Sequence, residues 1–421
     1  MPERRLPVRP DLDQLRHQAK DLLKGIRRGD REALEEFQRH HPAPPPPESV
    51  KLADAQLALA RAYEAPDWGR LVLACDLVDA IWRDDLVSVR ALVRKNPRLL
   101  TEDALVRKSN WGPPLTYAAN LGRDRIIGML RGMGARDLQS ALDRAALQGQ
   151  IGTAVMLHSL MGSPPLPKDA LGGPAYTLSV TGTEWTLKLG ARVKDEEGKL
   201  LAPVDVVLET DSRKPAAKHA ILELYVKHGL ELPETPTMAL HRGRIDLLEE
   251  HLRRDASILN RTFGHEEIYP PGLGCHDEVL ATQGTPLKGT TLLNLCVDYD
   301  ELEIARWLIE KGADVNARAA VDEDGFGGHT PLFSTVVSQP NFWMNYHRGI
   351  QEARFTQLLL DHGADPNVRA SLRKQLHPGY GPDTLREFRD VTALSWGRRY
   401  HGKVFVSEPA LKLIAERGGV E

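Results

Sequence analysis

The chain has 421 residues, enough for about three ordinary domains of about 150 residues each unless it is a repeat array. Its 41% hydrophobic and 27% charged residues exclude a disordered or a membrane-embedded chain. With 55 basic against 58 acidic residues the formal charge is -3, which offers no positive field for nucleic acid or an anionic membrane.

The three cysteines, Cys75, Cys275 and Cys296, are scattered and form no CxxC pair, so no disulfide framework is expected. No apolar run reaches the length of a secretory signal or a membrane span, and a reducing, cytoplasmic setting is the expectation.

Residues 1–78 read as helices. Asp11 is placed to cap a helix that carries Leu12, Leu15, Ala19, Leu22, Leu23 and Ile26 at helical spacing, and Gly29-Asp30 marks its end. A second helix carries Ala33, Leu34 and Phe37. HHPAPPPPES, residues 40–49, cannot continue that helix because proline lacks the backbone donor, so an extended, semi-rigid connection is predicted. KLADAQLALARAYEAPDW is a third amphipathic segment, leading to Trp68.

From Asp79 onward one pattern recurs: two short amphipathic helices, a turn between them, and a glycine at the end. DAIWRDDLVSVRALVRKNP from Asp79 is a weak copy, and GPPLTYAANLGRDRIIGMLRGMGA, Gly112 to Ala135, is a strong one. LQSALDRAALQGQIGTAVML from Leu138 follows in the same register. The units from Ala175 and Ala202 keep the second helix but have a reduced first helix, so about 163–233 is expected to stack irregularly. ETPTMALHRGRIDLLEEHL from Glu234 is again regular.

The strongest unit opens at Thr291. Leu293, Cys296 and Val297 share one face of its first helix, and Ile304, Trp307 and Leu308 form an apolar stripe on the second. Gly312 ends it, since a left-handed residue at a helix C-terminus is least strained as glycine. The next unit opens at Thr330 with proline in the first helical turn, where the missing N–H would have been unpaired anyway. Thr291 to Gly312 is 21 residues and Thr330 to Gly363 is 33, so twelve extra residues fall around QPNFWMNYHRG, about 339–350. A last unit begins at Val391, making nine candidates, three of them strong.

G-x-T-P-L-x-x-A, a short turn, then L-L-x-x-G-A-D-x-N resembles the ankyrin repeat, whose usual period is about 33 residues. The resemblance implies an all-α ankyrin-repeat solenoid over 79–421, with a helical N-terminal extension or cap over 1–78. Asn294, Phe333 and Thr116 stand where the histidine of T-P-L-H would be, so the side-chain network between neighbouring repeats is expected to be incomplete. The D-A-Q-x-x-x-A-R-x-Y segment, Asp54 to Tyr63, is similar to the extension that precedes ankyrin repeats in some bacterial proteins. Its simplest role is to cover the apolar face of the terminal repeat. The alternative is a separate partner-docking module.

The best case for chemistry is the insertion at about 262–289, which gathers His265, Glu266, Glu267, Cys275, His276, Asp277 and Glu278. Zinc takes such ligands, yet no C-x-x-C or H-x-x-x-H spacing is present, so neither a metal site nor a catalytic residue nor a cofactor is predicted. A metal-dependent enzyme built on this insertion stays as the rival reading. DEDGFGGH, residues 322–329, fits neither a phosphate-binding fingerprint nor a calcium loop and reads as a turn. The main expectation is a non-catalytic, monomeric module that binds a protein partner through its concave surface and loop tips. Tyr269, Trp343 and Tyr346 place large aromatics in the two insertions and are the leading contact candidates. Tyr117, Asn120, His241, Asp298 and Tyr299, on first helices, are the second rank.

Overall fold

A computed structural model describes residues 4, 6–106, 109–210, 212–338, 352–376 and 384–421. Trp343, Tyr346 and the rest of the insertion at 339–350 lie outside the described residues. The chain divides into two compact units, Met1–Pro165 and Leu166–Glu421, so this boundary falls within the span expected as the array rather than at residue 78.

The first unit runs through α1 (Leu12–Arg28), α2 (Arg31–His40), α3 (Leu52–Ala62), α4 (Trp68–Trp82), α5 (Leu86–Lys95), α6 (Pro114–Asn120), α7 (Asp124–Gly132), α8 (Leu138–Leu147) and α9 (Ile151–Leu160). Asp11 caps α1 by accepting the N–H groups of Asp13 and Gln14, and Gly29 ends it at φ 78°, where a side chain would be strained. The expected stripe of Leu15, Ala19, Leu22 and Ile26 is buried, with Phe37, in a cluster that continues onto Leu71 and Cys75 of α4. α4 packs on α5 and α6, α5 on α7, α6 on α7 and α8, and α8 on α9, which is the stacking of successive helix pairs.

The second unit begins with two pairs whose first helices are very short: α10 (Gly172–Tyr176) with α11 (Val180–Lys188), and α12 (Val204–Glu209) with α13 (Pro215–Lys227). α14 (Pro236–His241) and α15 (Ile245–Arg254) follow, then α16 (His265–Ile268) and α17 (Glu278–Ala281) within the first insertion. α18 (Leu292–Tyr299) pairs with α19 (Leu302–Glu310), and α20 (Pro331–Val336) packs on α21 (Arg354–Asp361). β1 (Ala370–Lys374) and β2 (Arg386–Val391) precede α22 (Ala393–Arg399) and α23 (Glu408–Glu416). The two strands form an antiparallel ribbon that pairs Leu372 with Phe388 and Lys374 with Arg386, a departure from helix that the all-α expectation did not contain.

The first helices α6, α14, α18 and α20 are buried on every side. All eight residues of α18 are buried, because α14 packs on it from one neighbouring pair, α20 from the next, and α19 from its own. Its stripe was expected on one face only. At Thr291 the substituted Asn294 closes a capping box, its Oδ1 accepting from the Thr291 hydroxyl at 2.9 Å. At Thr116 the backbone N–H reaches Asp137 at 3.1 Å, so that position still links one unit to the following one.

Candidate functional site

The six described contact candidates are all in the interior. Tyr117, His241 and Tyr269 are 0% exposed, Asp298 1%, Tyr299 2% and Asn120 3%, which corrects their expected placement on a concave surface or a loop tip. The cause is the close stacking of first helices just described, together with an insertion that folds Tyr269 inward. In the first unit the Tyr117 hydroxyl accepts from Trp82 Nε1 at 2.9 Å and donates to the Val8 carbonyl. Asn120 Oδ1 accepts from Arg144 Nε at 2.7 Å. Both side chains are committed to internal hydrogen bonds.

The other four meet in the second unit, where they share a buried polar cluster with residues from α13 and its N-terminal approach. Arg213 Nε donates to the Asp298 carbonyl at 2.7 Å and Nη2 to Asp298 Oδ2 at 3.0 Å. The same guanidinium lies 4.5 Å from the centre of the Tyr299 ring, and Lys218 Nζ lies 4.3 Å from it. Both cations are thus placed on the negative face of one aromatic ring. The Tyr299 hydroxyl donates to the Leu208 carbonyl at 2.9 Å and is hydrogen-bonded to the Tyr269 hydroxyl. His241 stands edge-on to Tyr299, and its Nε2 donates to the Ile268 carbonyl at 3.1 Å, leaving Nδ1 without a partner.

Burial sets the proton affinities here. It drives His241 well below its ordinary value, with Lys218 and Arg213 adding to the effect, so the imidazole is neutral. It also lowers Lys218, against the opposing pull of Glu301, whose Oε1 is 2.9 Å away at an angle that makes no regular hydrogen bond. Burial would lower Arg213 too, but the Asp298 carboxylate overrides it and the guanidinium is held above its ordinary value. Glu301 is lowered because Lys218 and His219 outweigh its own burial, and His219 Nε2 lies 2.8 Å from the same oxygen. Tyr269 and Tyr299 are both pushed up by burial, and Cys296 likewise, so none supplies an anionic nucleophile near neutral pH. The cluster ties α13 to α18 through Lys218 over the Tyr299 ring, and α14 to α18 through the edge of His241 on the same ring.

Sequence reasoning did not single out Arg213, Lys218 or Glu301. A signal was present. Lys218 shares the spacing of Ile221, Leu222 and Tyr225, which puts a cation on the apolar stripe of α13.

The insertion that gathered the candidate metal ligands disperses them. His276 Nδ1 pairs with Glu209 Oε2 at 2.6 Å, which raises the imidazole, and His265 Nε2 bonds the His276 carbonyl at 2.8 Å. Burial pushes the Cys275 thiol above its ordinary value. Among the described residues no group of three or more His, Cys, Asp or Glu side chains is placed to hold a metal ion.

Residues 288–320 span α18, α19 and the chain that leaves them, closed by Gly312 at φ 100°. The same residues match the family model of the ankyrin repeat. The chain contains an ankyrin repeat. Its fold class is accordingly the all-α ankyrin solenoid, and the assignment rests on that repeat and on the helix pairs stacked about it. No curated protein matches the chain. Among solved structures it is similar to the human ASB11 ankyrin repeat domain, at 16% identity and a TM-score of 0.24, over 73% of this chain and 99% of that one. Ankyrin repeats generally mediate protein–protein interaction. Among the described residues no helix is long and apolar enough to cross a membrane.

Proposed function

We propose that this ankyrin-repeat protein is a non-catalytic module that binds a partner protein through its loop tips. The observation that carries this reading is the distribution of burial within the matched repeat. The first helix is consumed by the core, whereas the turn that follows, residues 320–325, is exposed and presents Val321 at 62% exposure. A solenoid whose helices are buried has its tips free to meet another surface, and apolar side chains at such tips are suited to contact. Trp343 and Tyr346 belong to this reading on sequence grounds, as aromatics in the residues that exceed the repeat period. The partner is a protein of the cytoplasm, bound by a single copy of the chain.

The test compares two variants on the same samples. Trp343→Ala with Tyr346→Ala should cut the capture of a partner identified from the native host by about thirtyfold or more in affinity. The melting temperature should change little. Leu308→Ala, at a fully buried position of α19, should instead cost about 2–5 kcal/mol of stability. A loop double variant that melts as poorly as Leu308→Ala would assign the loop to the fold and refute its role in recognition.

A further inference from the structure

A cleft of ≈ 440 Å³ lies in the second unit, where the first insertion, the 320–329 turn and β1 come together. That volume falls in the range of small-molecule sites. Its walls include Phe263, Val279 and Leu372, and its rim carries two apolar side chains that stand largely in solvent, Val321 at 62% and Leu385 at 52% exposure.

One lining residue is out of keeping with those walls. Lys374 is 3% exposed, because the alternation of β1 puts Ala370, Leu372 and Lys374 on its buried side. An ammonium has three donors, and among the described residues this one makes a single hydrogen bond, to the Thr282 hydroxyl at 2.8 Å. No described carboxylate is within ion-pairing distance of it. A buried, unpaired charge is strongly disfavoured unless an anion meets it.

The other charges at the cleft are accounted for. Arg373 pairs with Asp322 at 2.8 Å and Asp324 at 2.7 Å, while Lys288 is exposed at the rim. His329 donates through Nε2 to the Pro286 carbonyl, and burial pulls its imidazole down to about 4, so it is neutral. Glu278 lines the cleft and acts on Lys374 through space, as does Asp298 from outside it, each favouring the charged ammonium without pairing with it. The cleft therefore offers one sheltered cation at an apolar wall.

We infer that this cleft is a binding site for a small monocarboxylate with a compact apolar body, its carboxylate meeting Lys374 and its body lying against Phe263, Val279 and Leu372. The site shares Val321 and its turn with the protein-binding reading but does not depend on it.

The test is isothermal titration of the full chain with 4-phenylbutyrate, and with 4-phenylbutanol as the uncharged match. The acid should bind saturably and the alcohol about tenfold more weakly or worse, as loss of a charge-assisted hydrogen bond requires. Lys374→Met should reduce the acid's affinity to the alcohol's. Val279→Glu, which leaves Lys374 in place and adds a carboxylate at the wall, should abolish it and decides the matter even where Lys374→Met fails to fold. No saturable binding, equal affinity for acid and alcohol, or full affinity in Lys374→Met or Val279→Glu would each overturn the assignment.

Discussion

Lys218 Nζ lies 4.3 Å from the centre of the Tyr299 ring and 2.9 Å from Glu301 Oε1, and the side chains of both Lys218 and Glu301 are only 4% exposed. A pair so far from water stabilises little in itself, because desolvation offsets the attraction, yet removing one partner strands the other. Here the two partners are unequal. Glu301 keeps His219 at 2.8 Å when Lys218 is lost, whereas Lys218 keeps only the Tyr299 ring when Glu301 is lost.

Glu301→Gln should therefore destabilise the second unit by about 3–5 kcal/mol, while Lys218→Met should stay within about 1 kcal/mol of the parent or exceed it. Urea unfolding of the two variants side by side measures this. Equal losses in both would mean that the pair, not its desolvation, dominates.

Acid should weaken the fold through its buried imidazoles. Burial lowers His329 from 6.5 to about 4 in the folded chain, so the unfolded chain takes up the proton first. The stability that this group contributes is whole above pH 6.5 and is lost as pH falls toward 4, on the order of 3 kcal/mol in all. His241, lowered by burial in the same way, adds to the loss. Glu301 is held below its ordinary 4.5 and enters only at lower pH. Melts between pH 7 and 5 should show a fall that is shallower in His329→Gln, and parallel curves for the two proteins would refute the assignment.

Alkali should act in the opposite direction over a limited range. Burial lowers Lys374 from 10.5 to about 8, so between those values the unfolded chain holds the extra proton and the contribution of this group to stability rises with pH. The buried thiols Cys75, Cys275 and Cys296, raised from 9.0, oppose it from about pH 9, and Tyr299 and Tyr269, raised from 10.0, do so above pH 10, since the unfolded chain then loses protons first. From pH 8 to 9.5 the gain from Lys374 should be about 2 kcal/mol, and Lys374→Met should lack it. Equal slopes in the parent chain and in Lys374→Met over this range would show that the ammonium is solvated.

The helical stripes were legible because they depend on periodicity alone. Leu15, Ala19, Leu22 and Ile26 in α1, and Ile304 and Leu308 in α19, are buried as their spacing requires. The glycine that ends the matched repeat was legible for a similar local reason, since only backbone geometry is at issue at Gly312. The reduced first helices near Ala175 and Ala202 are likewise the short α10 and α12.

The contact candidates were misplaced because exposure is a property of neighbours. Asp298 and Tyr299 look like surface positions when α18 is read as an amphipathic helix with one wet face, but α14 and α20 cover it from either side. Arg213 and Lys218, 85 and 83 residues away from Asp298 and Glu301, then supply the charges that make such burial tolerable. Local sequence thus determined where helices begin, end and turn their apolar stripes, because those depend on contacts within a few residues. Only the tertiary stack decided which polar side chains would be drawn inside, because their desolvation is offset by partners that the chain brings from far along its length.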